Sequence, residues 1–152
     1  MAYDTREARE ELLDDLAAAT DSIAVALAAL GEAYEQLDDR TADTLEEQLF
    51  RPVQHAYGRA KRTHAEFAAR HGLAGRTFAP ATPGAPSRGI RGFVDDAVAA
   101  AAAADGRIAA LQDSMRPVEV GDAELRAGLS EVRRLVAVVP AHARAFVRVL
   151  GR

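Results

Sequence analysis

The chain has 152 residues, a formal net charge of −4 at neutral pH and no cysteine. That length suits a single domain, and its 49% hydrophobic and 28% charged residues are enough to build a core with a solvated surface. The lack of cysteine excludes disulfides, thiolate metal sites, iron–sulfur clusters and cysteine nucleophiles. The first residues do not resemble a signal peptide, and no apolar run reaches the roughly 18 residues of a membrane span. We therefore expect a cytoplasmic protein without a membrane span.

Prolines, glycines and polar residues divide the chain into four helical segments. Short breaks fall at residues 38–41 and 117–121, and a longer break carries Pro80, Pro83 and Pro86. Between the breaks, apolar residues recur at alternating intervals of three and four, which is typical of a packed helix face. We predict one all-α domain over residues 1–152, with a hairpin at 4–72, a Pro/Gly linker at 73–87 and a second hairpin at 88–150.

The positions of the apolar residues also predict how the helices of each hairpin face each other. In the first hairpin, facing positions have numbers that sum to 80, as for Leu27 and Val53. In the second hairpin they sum to 240, as for Ala104 and Val136. Half of each sum gives the centre of the turn, residue 40 or residue 120, and both residues lie inside the short breaks. We therefore predict an antiparallel four-helix bundle built from two long hairpins. An up-down-up-down order is favoured, although the linker, at about 50 Å when extended, could run the length of the bundle or let one hairpin pack on another subunit.

Charge supports the first hairpin. Residues 1–39 hold 11 acids and 2 arginines, net −9, whereas residues 40–76 hold 4 acids and 7 bases, net +3. The predicted register places the basic end of the second helix beside the acidic start of the first. Because this basic stretch has an acidic partner and the whole chain is acidic, we expect no nucleic-acid binding.

The residues that could carry chemistry do not form a known constellation. The four histidines (His55, His64, His71 and His142) have no glutamate three residues before them, as carboxylate di-iron bundles require. None of the four serines lies in a Gly-x-Ser-x-Gly elbow, and no glycine-rich phosphate loop follows a strand. We therefore expect no enzyme activity, no metal and no cofactor.

One layer of the predicted bundle consists of small residues. In the up-down-up-down order, Thr20, Ala60, Ala97 and Ala143 lie at the same level, where the helices either approach closely or leave a cavity. Tyr57 and His64 lie next to this layer. The candidate binding residues are therefore Thr20, Tyr57, Ala60, His64, Ala97 and Ala143.

The function that the sequence favours is that of a non-catalytic helical bundle acting through protein–protein contacts, with itself as a homodimer or with another protein. Long apolar seams and the alanine run at residues 99–104, which could form a flat contact face, motivate this prediction. The alternative is a bundle that binds a small molecule in a pocket at the layer of small residues.

Overall fold

The computed structural model describes residues 2–150, with side chains from residue 4 onward. Helix accounts for 84% of the described residues and no strand occurs among them, which confirms the all-α prediction. In chain order, the elements are α1 (Ala2–Glu35), α2 (Asp39–Leu45), a π-helical turn (Glu46–Phe50), α3 (Arg51–Arg70), a 3-10 turn (Pro86–Arg88), α4 (Gly89–Asp113), α5 (Arg116–Glu119), α6 (Ala123–Ala137) and α7 (Val139–Leu150). Five helices in this described part, α1, α3, α4, α6 and α7, are 12 residues or longer and pack together, where the sequence predicted four.

Two aspartates, Asp38 in the first short break and Asp122 directly after the second, cap the helices that follow. The Asp38 carboxylate accepts a hydrogen bond from the Thr41 amide at 2.9 Å, and the Asp122 carboxylate accepts one from the Leu125 amide at 2.8 Å. Amides in the first turn of a helix have no partner within the helix, so a carboxylate at this position stabilises the start. The polar residues that divide the sequence are thus the N-caps of α2 and α6.

Facing residues within each hairpin lie close to the predicted levels. Leu27 and Gln54 line one cleft between α1 and α3, and their numbers sum to 81. Val94 and Val147 line one groove between α4 and α7, and their numbers sum to 241. Both pairs lie near the predicted levels, as does the Arg133–Asp105 ion pair between α6 and α4, whose residue numbers sum to 238. Val53 is fully buried, but Leu27 is only half-buried, because it lies at the edge of the cleft.

The most extensive contacts join helices of different hairpins. α1 packs most extensively on α4, and α3 packs most extensively on α6. The first contact is rich in small side chains: α1 buries Leu12, Ala19, Ala26 and Ala33, and α4 buries Ala97, Ala100, Ala101 and Ala104. Alanines on both helices allow the two backbones to approach closely. Part of the alanine run at residues 99–104 is therefore core.

The linker runs along α1 and does not turn back where α3 ends. Near its start, Arg76 pairs with Asp21 at 2.9 Å, and near its end the Pro86 carbonyl accepts a hydrogen bond from Gln36 at 3.2 Å. The chain thus passes 15 residues of α1, about 22 Å at 1.5 Å per residue. It delivers α4 to the end of the molecule where α1 finishes.

The order of helices consequently differs from the up-down-up-down prediction. At the far end of α4, Arg116 reaches Asp15 near the start of α1 at 2.9 Å, so α4 runs antiparallel to α1. An up-down-up-down order would make these two helices parallel, and it is therefore wrong for this chain. The physical reason is the second, alanine-rich stripe of α1, which is buried only when α4 lies against it. The observed linker runs along the bundle, which was one of the alternatives that the sequence allowed.

Two prolines explain why the second and fourth helical segments are interrupted. Pro52 has no amide hydrogen to offer the Gln48 carbonyl, and a π-helical turn precedes it. Pro140 follows the break between α6 and α7. His142, two residues later, places its Nδ1 2.6 Å from that same Gln48 carbonyl. With Nδ1 protonated, His142 donates the hydrogen bond that Pro52 cannot, and it holds α7 against the π-helical turn.

We expect His142→Phe to lower the free energy of unfolding by about 1 kcal/mol, because the Gln48 carbonyl loses its side-chain donor. In a Pro52→Ala background the amide of residue 52 can serve this carbonyl, so the same substitution should cost much less. Urea unfolding of the four proteins in a double-mutant cycle measures the coupling. Strictly additive losses would contradict the assignment.

The predicted ion pairs between α1 and the basic end of α3 are replaced by others. Arg70 pairs with Asp122 at 2.8 Å, and the α1 carboxylates that are paired use Arg6, Arg76 and Arg116. Arg59 and Arg62 form no ion pair with any described residue. The bases of α3 therefore do not pair with the acidic start of α1.

By length and composition alone, the stretch Asp4–Glu35 of α1 could cross a membrane. An 18-residue window of this stretch has the high mean hydropathy and the few charged residues of a membrane span, but 56% of that window is buried inside the protein. The core helix of a water-soluble protein has the same properties. The burial of α1 against α3 and α4 accounts for its apolar composition.

Candidate functional site

Three of the six predicted binding residues are core residues. Thr20, Ala60 and Ala97 are at most 1% exposed. The Thr20 hydroxyl donates a hydrogen bond to the Leu16 carbonyl of its own helix at 2.8 Å. Since its donor is used within α1, Thr20 presents no free hydrogen to a ligand.

His64 is also buried, and its surroundings are unusual for a polar side chain. Its Nδ1 has no hydrogen-bond partner among the described residues, and the Phe78 ring of the linker packs edge-on against it at 5.3 Å between centroids. Burial lowers the pKa of His64, and the charge of Arg76 lowers it further, while Asp14 and the Leu13 backbone act in the opposite direction. The imidazole is therefore neutral at pH 7, under a cover formed by the linker.

Tyr57 lines a cleft between α1, α3 and the linker. This cleft has a volume of about 470 Å³, with Leu27 and Ala28 on one wall, Gln54 and Lys61 on the α3 side, and Pro80 at its rim. The Lys61 ammonium lies 4.2 Å from the centre of the Tyr57 ring, a cation–π contact. The cleft combines an apolar wall with one aromatic and one cationic side chain, a combination suited to an apolar or aromatic molecule.

Ala143 lies on the floor of a different groove, between α4 and α7. The floor is apolar, with Val94, Val98 and Val147, and the volume is about 390 Å³. Its rim carries three arginines and one acid, Arg91, Arg144, Arg148 and Asp95. Tyr57 and Ala143 thus line two separate clefts. The predicted layer of small residues assumed an up-down-up-down order, whereas α4 packs antiparallel on α1.

A third depression lies on the face shared by α1 and α4, which we call the α1–α4 face. It has a volume of about 430 Å³ and is walled on one side by residues 82–84 of the linker. Val25 is 47% exposed there, and Ala99 and Ala103 are exposed beside it. Ser22 also lines it, but its hydroxyl donates a hydrogen bond to the Ala18 carbonyl at 3.2 Å. This face offers small apolar side chains and no free nucleophile from Ser22.

The tightest polar cluster joins the end of α3 to the start of α6. Asp122 accepts hydrogen bonds from Nε and a terminal nitrogen of Arg70, both at 2.8 Å, and lies 2.9 Å from His71 Nε2. These bonds, together with the Leu125 amide, hold the pKa of Asp122 well below its usual value. This cluster could not be found from the sequence, because nothing in the residue spacing shows that Arg70 and His71 end beside Asp122.

The polar side chains that line these sites are dispersed over several elements. Among the described residues, no group of three or more histidine, aspartate or glutamate side chains is placed to hold a metal ion. The three clefts share an apolar wall or floor with charged or polar residues at the edge, as interfaces do. Comparison of the chain with protein-family models, with curated proteins and with solved structures finds no match.

Proposed function

We propose that this chain is a non-catalytic helical protein that acts through protein–protein contacts and associates with itself, with a homodimer as the smallest assembly. In this proposal, the segment from α2 to α3 acts as one helix bent at the π-helical turn, and α6 with α7 acts as one helix bent at Pro140. The five long helices then make a four-helix bundle with a crossing linker, a stable scaffold for surface contacts.

The observation that carries the proposal is the α1–α4 face. Exposed alanines of α4 (Ala99, Ala102 and Ala103) lie on a helix whose buried alanines form the contact with α1. Small side chains present a flat surface that loses little side-chain entropy on association. With Val25 beside them and the Asp96–Arg88 ion pair at the edge, they resemble the apolar centre and polar rim of an interface.

Sedimentation velocity between about 1 and 100 μM tests this function. We expect the wild-type sedimentation coefficient to rise with concentration, and Ala103→Glu to shift that rise to concentrations about tenfold higher, because a carboxylate would be placed in the apolar centre. Ala74→Glu is the matched control, since it adds the same charge at an exposed position in the linker, outside the five long helices. A wild-type chain that remains monomeric throughout would refute self-association.

A second candidate function is binding of a small apolar or aromatic molecule in the Tyr57 cleft. The cleft volume of about 470 Å³ and the Tyr57–Lys61 pair favour it. A thermal-shift screen with aromatic ligands should then give stabilisation that Tyr57→Ala abolishes and that Tyr34→Ala, at an exposed tyrosine outside the cleft, leaves intact. Equal shifts in both variants would remove this candidate.

A further inference from the structure

The packing of α1 on α4 and of α3 on α6 separates charge across the molecule. α1 and α4, which we call the acidic half, hold 13 acidic and 4 basic residues, a formal charge of −9. α3, α6 and α7, which we call the basic half, hold 3 acidic and 10 basic residues, a formal charge of +7. The net charge of −4 conceals this separation, which becomes visible only once the helix partners are known.

Internal ion pairs leave many of these charges uncompensated. Arg133 of the basic half pairs with Asp105 of the acidic half at 2.9 Å. Among the described residues, several side chains of the basic half form no ion pair: Arg51, Arg59, Arg62, Arg144 and Arg148. The same holds in the acidic half for a comparable set, Glu7, Asp14, Glu32, Glu35, Asp95 and Asp113.

Both halves also expose small residues between their charges. The acidic half has the α1–α4 face, with Ala99 and Ala103 exposed. The basic half exposes alanines at several helix positions: Ala65, Ala69, Ala127, Ala141 and Ala145. Two such surfaces can approach closely while the long charged side chains pair around them.

We infer that copies of this chain associate front to back, with the acidic half of one copy against the basic half of the next. This inference rests on the proposed self-association and assigns the surface that the α1–α4 face contacts. Acidic against acidic halves would bring −9 against −9, and like charges at close range cost several kcal/mol. A front-to-back pair still has one acidic and one basic half uncovered, so further copies add as concentration rises.

A second copy matches the basic half better than an extended polyanion does. The matching surfaces have similar lengths, because α1 with 34 residues and α4 with 25 extend about 51 and 38 Å, and α6 with α7 extends about 40 Å. A polyanion that extends past the basic half meets the negative charge of the rest of the chain. Pairing between copies compensates both halves at once.

The experiment uses two double variants of the full chain at exposed, unpaired positions. The basic-half variant is Arg62→Glu with Arg144→Glu, and the acidic-half variant is Glu35→Lys with Asp113→Lys. Arg40→Glu, in α2 and outside both halves, is the control for a change of net charge. Circular dichroism and thermal melting check that each variant keeps the fold.

Sedimentation velocity then compares the proteins at about 50 and 500 mM NaCl. We expect wild-type association to weaken about tenfold at the higher salt, since screening shortens the range of charge interactions. Each double variant alone should associate more weakly than the wild type, because the formal charge of its altered half falls from +7 to +3 or from −9 to −5. An equimolar mixture should form pairs of one copy of each variant through the two unaltered halves, while Arg40→Glu should behave as the wild type, which grows beyond two copies.

Other outcomes separate this inference from the proposed function. If self-association were equally strong at both salt concentrations and in both double variants, the proposed function would stand and the charge pairing would be wrong. A mixture that stays monomeric, or a wild type that stops at a discrete dimer, would also overturn the front-to-back contact. A wild-type protein that is monomeric at 50 mM NaCl would contradict both the proposed self-association and the front-to-back contact. Binding of a DNA duplex that requires Arg62 and Arg144 would then identify the basic half as a nucleic-acid-binding surface.

Discussion

Replacing Gly128 with alanine should lower the free energy of unfolding by about 2 to 3 kcal/mol. Gly128 lies in α6 at its contact with α3, and a Cβ at this position would overlap Oγ1 of Thr63 and lie 2.7 Å from its Cγ2. Thr63 cannot easily move aside, because it is 3% exposed and its hydroxyl donates a hydrogen bond to the Arg59 carbonyl at 2.8 Å. The gain in helix propensity from alanine, about 1 kcal/mol, offsets only part of this overlap.

Gly106→Ala is the matched control for this substitution. Gly106 is also inside a helix, α4, but nothing lies within 4 Å of the Cβ it would gain. Alanine there should raise the free energy of unfolding by about 0.5 to 1 kcal/mol. Thr63→Ala should recover part of the loss in the Gly128→Ala background. Urea melts in which both glycine variants shifted the same way would contradict the close α3–α6 contact.

Asp122→Ala should cost about 2 to 4 kcal/mol at pH 7, because it removes a helix cap and leaves Arg70 without its carboxylate. The lowered pKa of Asp122 makes the effect dependent on pH. The folded state holds the carboxylate ionised below the pKa of about 3.9 that an unfolded aspartate has, so its contribution is complete above that value. As the pH falls below about 4, the unfolded state takes up the proton first, and the contribution declines.

Urea unfolding of both proteins at pH 7, 5 and 3 measures this difference. The gap between wild type and Asp122→Ala should be smaller at pH 3 than at pH 5. Asp96→Ala provides the comparison, since its ion pair with Arg88 is exposed and should contribute little. An equal loss from Asp96→Ala, or a gap that does not narrow in acid, would show that the Asp122 cluster has no special role.

The sequence predicted the all-helical fold and the approximate levels of facing residues within each hairpin, because large apolar residues mark one stripe of each helix. It missed the stripes that join the hairpins. On α1 these positions are Leu12, Ala19, Ala26 and Ala33, and on the segment from the π-helical turn into α3 they are Leu49, Ala56 and Thr63, all buried at intervals of seven. Alanine and threonine are common on both surface and core, so their spacing alone did not distinguish a second packed face.

The candidate site failed to assemble for the same reason. A layer of Thr20, Ala60, Ala97 and Ala143 requires the up-down-up-down order, and the observed packing of α4 on α1 replaces it. Pro52 and Pro140 lie where two helical segments are interrupted, but no sequence pattern shows that His142 would reach the Gln48 carbonyl. Contacts between distant segments depend on which faces meet, and two buried stripes per helix allow more than one answer.

The position of the linker has a consequence for how the molecule could be divided. Both extensive interfaces, α1 with α4 and α3 with α6, join a segment before the linker to a segment after it. A hairpin on its own would expose the alanine and leucine stripes to water, so neither hairpin is a self-sufficient folding unit. A chain cut within residues 77–85 should therefore stay together as two complementary fragments. We expect each fragment to fold only when it associates with the other.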